Sequence, residues 1–169
     1  MPRGPKPRPF ECPEPVFWYL VGVVAADGCL SSDGRHVTVV AKDGRYLSQL
    51  KRHAGLRCGV TKCYGSSGQL AHRLQIGSRV LYDRLLGIGL TPRKSLTIGQ
   101  LAVPDEYFRD FLRGVIDGDG NIRRWNHPTN GREQWRLYVC GASKPFLAWL
   151  RETIERLWAV GGRIHTYSL

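Results

Sequence analysis

The chain has 169 residues, 42% hydrophobic and 23% charged, so it can bury a sizeable core, and wholesale disorder or a fibrous composition is excluded. Its 25 Lys and Arg outnumber its 14 Asp and Glu, leaving a formal net charge of +11 that points to an anionic partner. Most of these cations are arginines, whose planar fork of donors suits phosphates and guanine edges, so nucleic acid is the expected partner.

Five cysteines (Cys12, Cys29, Cys58, Cys63 and Cys140) form no Cys-x-x-Cys pair and no set with histidine at zinc spacing. They support neither a disulfide framework nor a zinc site and imply a reducing, cytoplasmic location, in a bacterial, phage or organellar interior. The most apolar run, Val16 to Ala26, has 11 residues. That is short of the roughly 20 needed to span a bilayer, and its flanks lack a secretory pattern.

In chain order, residues 1–15 hold six prolines with Arg3, Lys6 and Arg8, which predicts an extended basic arm without a helix. An internal repeat follows. YLVGVVAADG, Tyr19 to Gly28, matches FLRGVIDGDG, Phe111 to Gly120, in register, so that Asp119 lies 92 residues after Asp27. Each copy reads as a helix stopped by glycine. After the first copy the pattern predicts a strand at Arg35 to Lys42 and a helix at Arg45 to Ala54. Two further strands at Gly59 to Gly65 and Gln69 to Gly77 are turned by Ser66-Ser67-Gly68, and a closing helix runs from Arg79 to Leu86. Residues 16–90 are read as an αββαββα half, three of whose four strands are located by these patterns, and residues 91–107 as a linker. Residues 108–169 begin the same half again, with a hairpin of Asn121 to Trp125 and Trp135 to Cys140, a helix at Lys144 to Trp158, and a strand starting at Arg163 and reaching Tyr167.

The expected fold class is therefore α+β, with two pseudo-symmetric halves of which the second is incomplete. After its second helix the first half has 36 residues, 55–90, and the second has 11, 159–169. Three outcomes stand open for the strand at Arg163: the natural chain continues, a second polypeptide completes the C-terminal half, or the edge stays bare and DNA recognition by that half is weaker.

Gly22 and Ala26 are four residues apart, as are Gly114 and Gly118, giving each repeat helix a stripe of small residues on one face. Two helices meeting stripe to stripe approach closely and set Asp27 beside Asp119 at their C-terminal ends, where the macrodipole disfavours a carboxylate. Such a pair calls for cations. Magnesium, two or more ions at the centre, fits hard oxygen ligands and activates water for phosphodiester hydrolysis, so the pattern reads as a nuclease.

LVGVVAADG at Leu20 to Gly28 and the text RGVIDGDG after Leu112 resemble the two signature motifs of the LAGLIDADG homing endonucleases, in their single-chain, two-motif form. GLTPRKS, Gly89 to Ser95, followed by Pro104 and Phe108, resembles the connector between their halves. The resemblance implies a site-specific double-strand DNA endonuclease borne on an intron or intein, with Asp27 and Asp119 as metal-binding catalytic residues. It also implies antiparallel β-saddles over the DNA major groove, and catalytic support from Lys42 and Lys94. Ala25 departs from the motif at a position where the second copy has Asp117, and Lys42 has no counterpart in Gly141-Ala142-Ser143, so the two centres need not be equal. The alternative is a binding-only protein of the same fold, a transcription regulator or an RNA maturase. Alternation along the strands nominates Arg73 and Gln75 in the first half, and Arg124, Arg136 and Tyr138 in the second, as DNA-binding residues.

Overall fold

The computed structural model describes residues 10–65 and 68–166. Helix α1 (Glu14–Asp27) is apolar all round, with Phe17, Trp18, Leu20, Val21, Val23 and Val24 buried, as a helix wrapped by protein must be. It starts inside the predicted proline arm, because Pro15 sits in the first turn, where its missing N–H has no partner to lose. Residues 1–9 of that arm lie outside the described residues, and Phe10 already packs edge-on against Phe17.

Strands β1 (Gly28–Leu30) and β2 (His36–Ala41) follow, then α2 (Gly44–His53), β3 (Val60–Tyr64), β4 (Leu70–Gly77) and α3 (Arg79–Ile88). The order is the expected αββαββα, with β1 a strand that the sequence patterns do not locate. The four strands form one antiparallel sheet in the order β1-β2-β4-β3. Leu30, Val37, Val39, Leu74 and Ile76 alternate onto one face of it and are buried with Leu47 and Leu50 of α2 and Leu81 and Leu85 of α3. Thr38, Val40, Thr61, Arg73 and Gln75 point the other way. Of the turn expected at Ser66-Ser67-Gly68, Ser66 and Ser67 lie outside the described residues, and the Gly65 N–H donates to the Gln69 carbonyl across it. Each later helix is started by a side-chain cap: Asp43 accepts from the Arg45 N–H, and Ser78 from that of Leu81. Gly89, at φ 109°, ends α3 in the left-handed region that glycine enters without strain.

The segment between the halves is ordered and packed, with Ile98 and Leu101 buried and single helical turns at Lys94–Leu96 and Asp105–Tyr107. Helix α4 (Phe108–Asp119) buries Phe108, Phe111, Leu112 and Val115, at i, i+3, i+4 and i+7. Strands β5 (Gly120–Asn126) and β6 (Glu133–Val139) form a two-stranded sheet, and α5 (Lys144–Trp158) buries Phe146, Leu150 and Thr153. Trp149 of α5 packs on Phe108 and Phe111 of α4.

The strand expected from Arg163 is corrected: Arg163 to Thr166 have no regular structure, and Tyr167 lies outside the described residues. A strand needs a neighbour to pair its backbone, and among the described residues β6 is paired on one edge only. No described helix is long and apolar enough to cross a membrane.

Candidate active site and nucleic-acid interface

The centre of the molecule is the crossing of α1 and α4. A Cβ on Gly22 would collide with the Phe111 carbonyl oxygen and stand 2.9 Å from the Val115 nitrogen; one on Gly114 would collide with the Tyr19 carbonyl oxygen and stand 2.8 Å from the Val23 nitrogen. The obstacles are backbone, so both positions require glycine for close approach. One turn further on, a Cβ on Gly118 would lie 2.5 Å from Ala26 Cβ and 3.1 Å from Asp27 Oδ2. The small-residue stripes therefore face each other and carry the two acids into one place.

Asp27 and Asp119 are the last residues of their helices. The glycines after them, Gly28 and Gly120, are extended, at φ −86° and −98°. They are glycine because a side chain would strike the preceding turn, with Val24 Cα 2.5 Å from a Cβ on Gly28 and Ile116 Cα 2.6 Å from one on Gly120. Partial desolvation raises both carboxyls above their ordinary value; the charge of Asp27 raises Asp119 further, and Lys94 lowers each.

Lys94 is 5% exposed, and its Nζ donates to the Gly28 carbonyl at 2.8 Å. The turn before it is built for this, because Arg93 sits at φ 58°, an uncommon conformation for a side-chain-bearing residue, and reverses the chain so that Lys94 enters the protein. Burial pulls the Lys94 ammonium below its usual range, while Asp119, Cys29 and Asp27 pull it back up. Lys94 is thus the lysine whose charge acts on both acids. Lys42 is exposed after β2 and instead lines a groove with Arg45, Arg52, Lys62 and His72.

Asp117 has partners that were not legible from either motif alone. It accepts a 2.6 Å hydrogen bond from the Tyr19 hydroxyl, which lies 3.3 Å from the Tyr46 hydroxyl, joining α1, α2 and α4. Burial, and then the bond to Asp117, push the Tyr19 phenol far up; burial raises Tyr46, whose phenol also feels the charges of Asp117 and Asp27. At the 92-residue offset Tyr19 becomes Phe111 and Asp117 becomes Ala25, and counted from the helix caps Asp43 and Ser143, Tyr46 becomes Phe146. The signal available in sequence was this threefold, concerted exchange of polar for apolar residues.

The open faces of the two sheets follow from register. Arg73 and Gln75 lie on the open face of the first sheet, with Thr38 and Thr61 opposite them. In the second sheet Arg136 and Tyr138 share a face with Arg123, Asn121 and Trp125; the Arg136 guanidinium sits 5.1 Å from the Trp125 ring centroid and donates to the Tyr138 hydroxyl at 2.9 Å. Arg124 is on the other face, opposite Trp135 and in an ion pair with Glu133 at 2.8 Å. Arg123, one residue earlier, takes the open-face position.

No protein-family model and no curated protein matches the chain. Among solved structures it is similar to the N-terminal LAGLIDADG domain of DUF199/WhiA, at TM-score 0.56 and 18% identity over 94% of this chain and 73% of that one. It is also similar to the homing endonuclease I-WcaI bound to its DNA recognition sequence, at TM-score 0.58 and 11% identity over 87% and 69% of the two chains. A third likeness is to mesophilic variants of the homing endonuclease I-DmoI, at TM-score 0.52 and 12% identity over 91% and 82%. Likeness at this level of identity establishes architecture, and the architecture is that of the LAGLIDADG fold.

Proposed function

We propose that the chain is a site-specific, metal-dependent DNA endonuclease that hydrolyses one phosphodiester on each strand of a duplex. The observation that carries this reading is the juxtaposition of Asp27 and Asp119, two partly desolvated acids whose carboxyls are both raised and which share a single buried lysine. Raised carboxyls side by side are a site short of positive charge. Magnesium fits this donor set, because it takes one or two carboxylates and keeps the rest of its shell as water, and the described residues hold no cluster of three or more His, Cys, Asp or Glu that would suit a more demanding metal. When bound there, magnesium supplies Lewis acidity for phosphodiester hydrolysis.

The chain's own residues do the remaining work. Asp27 and Asp119 would hold the cations, and Lys94 fixes the Gly28 carbonyl and adds a positive charge that acts on both acids. Arg73 and Gln75 on one open sheet, and Arg123, Arg136 and Tyr138 on the other, present donors suited to base edges in a duplex groove. I-WcaI, a structure of similar fold, was solved with its DNA recognition sequence, which supports double-stranded DNA as the partner here. Among the described residues the outer edge of β6 is unpaired and Ile122 and Leu137 beside it are exposed, which suits a further ββα segment supplied by a second polypeptide. Five free thiols fit a reducing interior.

The test is a randomised duplex library incubated with and without Mg²⁺ and sequenced at its ends. Asp27→Asn and Asp119→Asn are each expected to abolish double-strand cleavage while leaving binding to the recovered duplex within about threefold, since they remove metal-site charge rather than groove contacts. Full cleavage by the double variant would falsify the catalytic assignment. Binding without any cleavage by the wild type would make the protein a DNA-binding member of the fold, the reading that the incompletely covered second half favours.

A further inference from the structure

The first half carries an excess of positive charge that its open sheet does not use. Between Gly44 and Pro104 the only acidic residue is Asp83, against ten lysines and arginines. Part of that charge gathers in a groove of about 760 Å³ between α2 and the edge of the sheet, lined by Lys42, Arg45, Gln49, Arg52, Lys62 and His72.

Three observations set this groove apart. First, it lies on the helix-bearing side. Lys62 pairs in register with His72, and His72 alternates with the buried Leu74, whereas Arg73 and Thr61 point to the open face. Second, its cations have no carboxylate partner among the described residues. Arg35, Arg79, Arg84, Arg124, Arg151 and Arg156 each pair with an acid, but Lys42, Arg45, Arg52 and Lys62 do not. The one acid lining the groove, Asp43, accepts from the Arg45 backbone N–H as the cap of α2. Third, the floor is fixed in shape. The His72 ring lies so close to Gly44 that a Cβ there would stand 2.7 Å from it, and His72 Nδ1 is held 3.1 Å from the Lys42 carbonyl oxygen. Like charges held in one concavity repel, a cost that an anion on the groove would offset.

We propose that this groove binds a run of phosphodiesters outside the saddle, from nucleic acid that passes the β3 edge onto the helix-bearing side. Long, flexible cations around a concavity suit successive backbone phosphates rather than one base edge. The inference does not depend on cleavage at Asp27 and Asp119. The phosphates are those of the flank of a duplex seated on the open sheets, because the cationic surface continues from Arg73 on the open face to Lys62 on the other side of the same pair of strands; a separate single strand of RNA is the competing occupant that the test separates.

The test is fluorescence anisotropy over a salt series with the full chain. The probes are a duplex no longer than the open sheets, the same duplex extended at both ends, and a poly(U) RNA. Arg52→Glu with Lys62→Glu is compared with a charge-matched control, Arg109→Glu with Arg163→Glu, on exposed positions away from the groove. The groove variant is expected to bind the extended duplex about tenfold or more weakly than the control does. Its slope of log K against log salt on that probe should be shallower by about two, one per lost phosphate contact, with the short duplex unaffected. Loss on the extended duplex supports the flank as the occupant, and loss confined to the RNA overturns it in favour of a separate strand. Equal affinities and slopes for the groove variant and the control on every probe overturn the proposal, as does a loss that falls equally on the short duplex.

Discussion

The two halves of the molecule run the same local program into different surroundings. In register, β1 and β2 of the first half pair Leu30 with Val37 and Gly28 with Val39; β5 and β6 of the second pair Ile122 with Leu137 and Gly120 with Val139. Leu30 and Val37 are 2% and 0% exposed, while Ile122 and Leu137 are 60% and 43% exposed. The hairpins match, so the difference lies in what covers them. The first is sealed by β4, β3 and α3, which bring Leu74, Ile76, Leu81 and Leu85 onto its apolar face. The second has no equivalent among the described residues. A strand pattern thus states which face is apolar, and only the next element decides whether that face is buried.

The most damaging way to break the comparison is at its axis. Gly22→Leu and Gly114→Leu each drive a side chain into the backbone of the other helix, which cannot give as a flexible side chain would. Each is expected to cost about 3 kcal/mol or more, at or beyond the upper end of the usual overpacking range, seen as a loss of cooperative unfolding in urea. Unchanged midpoints for both would mean that the helices do not cross at these residues.

Next in size are matched truncations in the two hairpins. Leu30→Ala is expected to cost about 2–5 kcal/mol, because it empties a filled core position. Ile122→Ala, its counterpart, should cost below about 0.5 kcal/mol. Equal costs would show that the second hairpin is covered in solution, and a dependence of the Ile122→Ala cost on protein concentration would identify another copy as the cover.

Much of this was legible in the sequence, and the failures are physical. The repeat fixed the helix pair, the acids and the order of elements in the first half, because glycine at a crossing, an acid before it and period-two alternation are all local signals. Arg124 was nominated for the open face where Arg123 stands, because the apolar side of β5 carries Ile122 beside Arg124, and a charged residue next to an apolar stripe hides the phase. The strand at Arg163 failed because pairing is not local. The Tyr19, Tyr46 and Asp117 cluster went unread because no single motif contains it; it appears only when differences between the copies are read together.

That cluster gives the third prediction. Tyr46→Phe removes one hydroxyl from a half-buried chain of polar groups, expected to cost about 1 kcal/mol. Phe146→Tyr at the matching place buries a hydroxyl where Phe111 and Ala25 stand in place of Tyr19 and Asp117, and is expected to cost about 1–3 kcal/mol. Chemical denaturation of the two variants checks this, and a Phe146→Tyr variant as stable as the wild type would show that the second half offers that hydroxyl a partner.

The smallest effect concerns the acids themselves in metal-free protein. Burial raises the carboxyls of Asp27 and Asp119 above their unfolded value, so the fold favours their protonated forms. The stability this contributes is fully present below the unfolded value and is lost as pH rises through the raised folded value, leaving a standing penalty at neutral pH. Asparagine has the same shape and no charge to desolvate. In excess chelator at neutral pH, Asp27→Asn and Asp119→Asn are therefore expected to melt slightly higher than the wild type. The two rises should be similar, because either substitution removes the mutual repulsion of the two carboxylates. The gain should vanish in acid, where the wild-type carboxyls are protonated too. Adding Mg²⁺ should reverse the order, since a cation held by both acids stabilises only the wild-type fold. Melting curves in chelator and in Mg²⁺ at two pH values separate these terms. If the asparagine variants melt lower than the wild type in chelator at neutral pH, the acids are paired by more positive charge than Lys94 supplies, and the centre is not short of cations.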